Sequence, residues 1–457
     1  IANVAGIEGI RFMMREAQRA EITMYFMLSS CVPATPYETS GAVLKAEDLV
    51  ELIDDERVLG LAELMNVPGV LACDADLLKK AAMTLSAGKR IDGHSPLAAG
   101  AALSAYACAG VRSDHECSTA QELTQRLQRG FVVQMREGSA GQNVSALARA
   151  VTPKNSRFLC LCTDDASPDD VFAKRHVNNV VRKAVACGID PIEAVRMATV
   201  NAAQHYGLAA KGIIAPGFDA DLVVFDNLTD FNVLHAFAKG RLIAQSERMT
   251  TPEPPAADAL QKGAVTGRVN IGQINKQSFT LRTRSGKARV IGLVPGDLVT
   301  RHLICDVPTD KDGVIDCRQQ PGLLKIAVIE RHHGSGRIGL GLVKGFVEEA
   351  RAFEGAIAST VAHDSHNIVV LGDNDADMIS AVAELKRMQG GLALVRNGQV
   401  VSNLPLEIAG LMTDADAKGT ALRKQSFIAA AHEKFGVPQN LHPVMAMSLL
   451  PLTVIAH

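Results

Sequence analysis

Tryptophan is absent from this chain and aromatic residues make up only 4% of it. Little ring surface is therefore available for stacking carbohydrates or single-stranded nucleic acid. An excess of one charge is missing too: 47 Lys and Arg stand against 49 Asp and Glu, a net charge of −2 with the signs interspersed. Phosphate backbones and anionic membranes are bound by clustered cations, so neither nucleic acid nor membrane is expected as a partner. No apolar run reaches the roughly 18 residues of a membrane-spanning helix, and no signal peptide is visible. The nine cysteines are odd in number and contain no Cys-x-x-Cys pair, which fits reduced thiols in a cytoplasmic protein better than a disulfide framework.

What is there is apolar mass and alternation. A 457-residue chain with 47% hydrophobic content can bury two or more cores. Strand-like and helix-like segments alternate over the first two hundred residues, the pattern of a parallel α/β architecture. Strands are predicted at Ile22 to Leu28, Val58 to Ala62, Asp92 to His94, Val111 to Ser113, Phe131 to Met135 and Phe158 to Thr163. Asp190, Pro191 and Glu193 mark a helix start, with Asp as cap and Pro at the first helical position. That helix is predicted to end before Gly207, with Ala194, Met197, Ala198 and Ala202 on one stripe.

Lys211 to Asp226 reads as a Pro-Gly turn followed by a strand from Ala220 to Phe225. Three prolines between Met249 and Ala257 mark an extended linker. Beyond it an α+β domain is expected from Gly263 to His457. Its signals are alternating segments at Ser278 to Arg282 and Ala288 to Leu293, an Asn397-Gly398 hairpin, a helix from Ala376 to Met388, and an apolar strand-like end from Met445 to His457.

One series of residues carries chemistry. Glu63, His94, His115 and Asp164 each follow a short apolar stretch or residue, and each precedes a helical segment. A lone His after an apolar stretch is more often a hydrogen-bonded core residue, but four such residues in successive units describe strand ends on one rim of a parallel barrel. In a (β/α)8 barrel that rim is where chemistry sits. Two imidazoles and two carboxylates there suit Zn, Mn or Fe.

The residues around this series, GHSP at His94, SDHE at His115 and TDD at Thr163 to Asp165, resemble the bacterial adenine deaminases of the amidohydrolase superfamily. So do AHDSHN from Ala362 and GDNDADM from Gly372. The resemblance covers essentially the whole chain and implies a fold: a (β/α)8 TIM barrel over residues 1–210, holding strands three to eight. A small composite β-sheet over 211–248, a linker over 249–262 and a C-terminal α+β domain over 263–457 would follow. Relatives place His-x-His after the first barrel strand, and none of the 13 histidines here is so spaced. The expectation is therefore that the first barrel strands lie outside this sequence and that its metal site is incomplete.

The resemblance also implies roles. Glu63 would bridge two metal ions, Mn or Fe with Zn possible, and His94 and His115 would be ligands. Asp164 would be both a ligand and the carrier of the proton from water to the leaving nitrogen, with Asp165 behind it. Glu116 reads either as a group that protonates a purine nitrogen or orients a ligand, or as a surface carboxylate. Arg136 reads either as a substrate contact or as half of an Arg-Glu pair closing a loop, and the loop from Pro33 to Gly41 is expected to line the pocket. His363, Asp364 and His366 read either as a metal or substrate-capping element at the barrel mouth or as a polar turn before a strand. Asp373, Asp375 and Asp377 lack the spacing of a calcium loop, and helix capping explains them better.

The implied reaction is hydrolytic deamination of adenine by a homo-oligomer, a dimer or larger. Two alternatives stay open: the same scaffold acting on a modified adenine or another cyclic amide, or a non-catalytic binding protein if no His-x-His strand precedes Ile1.

Overall fold

The structure, a computed structural model, describes residues 1–252, 262–294, 300–348 and 353–453. The chain forms two compact units. One holds residues 13–31 and 44–252, and the other holds 1–12, 32–43 and the described residues from 262 onward. The sequence boundaries differ at the start, where they place all of 1–210 in one domain. The twelve residues Val32–Val43, after Phe26–Ser29, and the opening segment up to Phe12 belong instead with the C-terminal unit. Of the expected linker, residues 253–261 lie outside the described residues.

The first unit contains six parallel strands: β1 (Phe26–Ser29), β2 (Val58–Ala62), β3 (Arg90–Ile91), β4 (Ser113–Asp114), β5 (Val132–Arg136) and β6 (Leu159–Cys162). They form two three-stranded ladders, β1-β2-β3 and β4-β5-β6, and the Arg112 N–H donates to the Ile91 carbonyl at 3.2 Å between them. Helices separate the strands, as parallel pairing requires. Apolar side chains of β5 and β6, Val133, Met135, Leu159 and Leu161, pack on Val180, Val181, Ala194 and Met197 of the helices that follow.

Several strand ends differ from expectation. Residues 22–25 are not strand, and Ile22 and Met24 are exposed. Asp92 to His94 lies just beyond the β3 ladder, where Gly93 runs so close to β4 that a Cβ would sit 2.2 Å from the Ser113 carbonyl oxygen. The helix capped by Asp190 is two helices, Pro191–Ala198 and Val200–Tyr206. They break at Thr199, whose hydroxyl donates back to the Val195 carbonyl at 2.7 Å, a bond that competes with regular helix geometry. An antiparallel sheet follows: β7 (Leu222–Phe225), β8 (Val233–Ala238), β9 (Arg241–Gln245) and β10 (Arg248–Met249), in that spatial order.

The second unit is built on an eight-stranded mixed sheet. Its strands are β11 (Lys287–Gly292), β12 (Arg301–Asp306), β13 (Leu324–Ile329), β14 (Ile338–Lys344), β15 (Ala356–Ser359), β16 (Ile368–Gly372), β17 (Gly391–Arg396) and β18 (Gln399–Pro405). The order is β12-β11-β14-β13-β16-β15-β17-β18, and only β11 and β14 pair in parallel. Strict alternation sends Ile326, Leu371 and Leu394 to one face, onto Phe427, Phe435 and Met447. It sends Ala327, Val370 and Ala393 to the other, onto Met378, Ala381 and Leu385 of the helix Asp375–Met388. Asn397 and Gly398 make the β17-β18 turn with φ of 52° and 72°, both left-handed as a type I′ turn needs.

The acidic run before that helix is structural. Asn374 caps it, Asp373 accepts from the Gly355 N–H, Asp375 pairs with Lys325, and Asp377 accepts from both turn amides. Two readings are corrected. Ser278 to Arg282 is not a strand: it begins in a 3-10 turn, Lys276–Phe279, where the Asn275 side chain accepts from the Gln277 and Ser278 amides, and of the rest Arg282 makes a single bridge, to Val314. The end of the chain is helical at Pro443–Leu449, with Pro443 at the first position and His442 accepting from the Met445 amide. Residues 454–457 lie outside the described residues.

Two buried charges order this unit. Arg331 is fully buried and donates to three carbonyls, those of His366, Arg268 and Ala409, at 2.5, 2.9 and 2.8 Å. Burial pushes its guanidinium down to about 9. Glu330 accepts from the amides of His332, His333 and Ser335 and from the Ser335 hydroxyl. Burial opposes its charge, but these donors hold its carboxyl down at about 2. A depressed carboxylate stabilises the folded state above its unfolded value, roughly 4.3, and loses that contribution as pH falls toward 2. Glu330→Gln is therefore expected to lower the urea midpoint at pH 7 and to approach the parent's midpoint near pH 2. An equal gap at both pH values would remove Glu330 from this account.

Candidate metal centre

The ends of β2, β3 and β4 bring three of the candidate ligands together. Glu63 is one residue past β2, His94 three past β3, and His115 one past β4. Their ligating atoms all lie within 4.8 Å of one another. His94 Nδ1 is 3.3 Å from Glu63 Oε2 and 3.4 Å from His115 Nε2, and His115 Nε2 is 3.8 Å from the same carboxylate oxygen. Atoms that share a cation at about 2.1 Å in a tetrahedron are about 3.4 Å apart, so this spacing is that of a ligand shell. His94 also leaves its Nε2 buried without a hydrogen-bond partner. The donor set of imidazole and carboxylate suits a divalent transition cation.

A charged row runs beside it. Glu116 Oε1 lies 3.4 Å from His94 Nδ1 and 3.3 Å from His115 Nε2. Arg136, the last residue of β5, donates to both Glu116 oxygens at 2.6 and 3.1 Å and to Asp164 Oδ2 at 2.9 Å. The Arg-Glu pair thus exists, but it reaches across to Glu116 on the neighbouring strand end rather than to the adjacent Glu137. Asp164 follows β6 in the left-handed region, φ 55°, and its carboxylate binds Arg136. It does not fall within the group formed by Glu63, His94 and His115. The Asp165 carbonyl accepts from the Ser139 amide.

These surroundings set the charges. Burial works against ionised Glu116, yet the hydrogen bond with His115 and the charges of His94 and Arg136 hold it down at about 2. Burial likewise opposes a charged His115, but Glu116 and Glu63 raise it to about 9. Burial dominates at Asp164 and raises its carboxyl above the usual aspartate range, against the pull of His115 and Arg136.

Several residues behind this row carry no signal of metal type in the sequence. The buried Tyr106 hydroxyl donates to the Leu64 carbonyl at 2.8 Å and accepts from the His94 amide at 3.0 Å. Asn143 accepts from the Arg136 amide and donates to the carbonyls of His115 and Cys117. Asp92 accepts from Ser113, His205 and Tyr206, tying the helix Val200–Tyr206 to the strand end that bears His94. Only Asp92 and Asp114, polar residues embedded in the two histidine motifs, were open to discovery from the sequence.

The remaining candidates lie in the other unit. His363 Nδ1 is 3.5 Å from Asp364 Oδ1, and His366 Nδ1 accepts from the Ala362 amide. The loop expected to line the pocket, Pro33 to Gly41, belongs to that unit as well. Ser365 donates to Glu38 and Asn367 to the Thr39 carbonyl. A cavity of about 560 Å³ lies there, lined by Tyr37, Glu38, His363 and His366 among others.

Comparison with known proteins divides the chain by sequence, with residues 1–12 and 32–43 on the N-terminal side. The amidohydrolase family profile matches residues 1–243, and that of the adenine deaminase C-terminal domain matches 297–457. An adenine deaminase of Nitratidesulfovibrio vulgaris strain DP4 is 45% identical over 455 residues, 100% of this chain and 77% of the relative. One from Clostridium acetobutylicum is 42% identical over 100% of this chain and 78% of its own length. Among solved structures, an N-acetyl-D-glucosamine-6-phosphate deacetylase of Mycobacterium smegmatis is 19% identical, with a TM-score of 0.38 over 53% of this chain and 70% of that one.

Proposed function

The chain belongs to the amidohydrolase family and, within it, to the adenine deaminases, and from that premise we propose that it hydrolyses adenine to hypoxanthine and ammonia. The observation that carries the reading is the convergence of Glu63, His94 and His115 beside the Glu116, Arg136 and Asp164 row.

Replacing the exocyclic amine of adenine with oxygen takes a nucleophile at neutral pH and a proton for a poor leaving group. Glu63, His94 and His115 would hold a divalent cation, which when bound would supply the first by lowering the pKa of water from about 15.7 to about 7. Asp164 supplies the second. Its carboxyl, raised by burial, accepts the proton from the attacking water and returns it to the departing nitrogen. Arg136 fixes the Asp164 carboxylate at 2.9 Å. Glu116 stays a carboxylate paired with Arg136, so its part is to hold that guanidinium and the two imidazoles rather than to donate a proton. Incubation of the purified protein with Mn2+ and adenine tests the reading; absence of hypoxanthine and ammonia sinks it.

The finer assignments rest on the donor set. Two ions of Mn or Fe would suit these imidazole and carboxylate ligands, Glu63 among them, and metal analysis of the purified protein counts and identifies them. A cytoplasmic location is part of the same proposal, supported by nine free cysteines, and so is a homo-oligomer; light scattering giving a monomer would refute the assembly. For His363, Asp364 and His366 the proposed part is in turnover, supported by the His363-Asp364 pair and the cavity His363 lines. His363→Ala with His366→Ala is expected to lower adenine turnover and leave the unfolding of the barrel unit unchanged. Unaltered kinetics would reduce the run to a polar turn.

A further inference from the structure

Asp114 precedes a ligand in sequence but is not one. Its carboxylate lies outside the ligand group, in a site where both it and Arg126 are fully buried. There it accepts from four donors. Oδ1 takes the Glu116 amide at 3.0 Å and the Ser95 amide at 3.4 Å; Oδ2 takes the Ser95 hydroxyl at 2.5 Å and Arg126 Nε at 2.8 Å. Arg126 then reaches past it, and its second amino group donates to the Ser95 carbonyl at 2.6 Å. Ser95 directly follows His94, and Glu116 directly follows His115. One carboxylate therefore grips the backbone next to each imidazole, and one guanidinium fixes both the carboxylate and the Ser95 carbonyl.

From this geometry we infer that Asp114, braced by Arg126, is the positioning residue that sets the separation of His94 and His115 for the cation. A fully buried ion pair is weak evidence for stability, because desolvation offsets its attraction. Its connections here are specific: every donor to Asp114 other than Arg126 lies within one residue of a ligand. Outer partners of this kind hold ligands in orientation, and their loss commonly lowers metal affinity by about 10 to 100-fold. Tyr106 makes the equivalent link between the Glu63 and His94 segments, so Asp114 completes a chain joining all three ligand-bearing strand ends.

The inference rests on the metal reading above, and the test separates the two. Mn2+ affinity of the purified protein, read by electron paramagnetic resonance of the free ion, is compared among the parent, Asp114→Asn and Ser95→Ala. Thermal unfolding of each is followed without metal. Ser95→Ala removes the hydroxyl's bond to Asp114 and its weaker 3.4 Å bond from Arg126 but leaves the ion pair, so the metal-free protein should unfold close to the parent while Mn2+ affinity falls by about 10-fold or more. Asp114→Asn should lose more affinity; if it does not fold, Ser95→Ala decides alone. A variant in the other unit, Asp375→Asn at the buried Lys325 pair, should lose stability with no change in affinity. Parent protein that binds no Mn2+ overturns the metal reading and this inference with it. Parent that binds, with Ser95→Ala binding equally well, overturns the positioning role alone.

Discussion

Asp164→Asn is expected to lower adenine turnover by about 10² to 10⁴, the range for loss of a positioned acid-base group. Asn has nearly the same shape and can still meet Arg136 through its amide oxygen, so the row from Glu116 to Arg136 should persist. What it cannot do is take a proton from water and carry it to the leaving nitrogen. Because Asp164 stands outside the cluster of Glu63, His94 and His115, Mn2+ affinity should change far less than turnover. Steady-state kinetics and metal titration on the same preparation check this. Near-parental turnover would remove Asp164 from the chemistry, and a collapse of affinity matching the loss of rate would make it a ligand instead.

The largest loss of stability is expected from Arg331→Met in the C-terminal unit. Methionine follows the path of the arginine stem but offers no donor. The carbonyls of His366, Arg268 and Ala409 would then stay buried without their partners. A stranded buried acceptor costs about 1 to 3 kcal/mol, so about 3 to 5 kcal/mol in total is expected after partial relaxation. Amide hydrogen exchange in β13 and β16, which flank this arginine's segment and its His366 contact, reads the opening energy of this unit. A change below about 1 kcal/mol would mean that water reaches those carbonyls.

How much of this was legible in the sequence depends on the reach of each signal. The number and order of the six strands in the first unit were, because short apolar runs repeat between helical segments; β1 was drawn too long because exposed Ile22 and Met24 extend its apolar run outward, and the strand expected at Asp92 to His94 misses β3, Arg90–Ile91. The Asn397-Gly398 turn was legible because two left-handed residues in succession demand such a pair. Glu63, His94 and His115 were legible as a group because ligands recur at equivalent strand ends. Arg136 and Glu116 stand 20 residues apart, and nothing local says that the guanidinium would choose Glu116 over its neighbour Glu137. Tyr106 was hidden for a similar reason: a tyrosine in an apolar helix reads as core until its hydroxyl is seen between two backbones. The break at Thr199 and the 3-10 turn at Lys276–Phe279 depend on side chains bonding to backbone, a competition that periodicity does not register.

The assignment of residues 1–12 and 32–43 to the C-terminal unit has a consequence for dissection of the molecule. The polypeptide passes from one unit to the other after Phe12, after Cys31 and after Val43, and once more farther along. A protease that nicks only the proline-rich stretch near residue 253 would leave both units tethered through the earlier passages. A fragment expressed from residue 262 would lack the buried Val4, Ile10 and Phe12. It would also lack Ser40, whose carbonyl accepts from His333, and Thr39, whose carbonyl accepts from Asn367. The C-terminal unit is thus not an excisable module, and grafting it onto another barrel would require transplanting three separate pieces of chain.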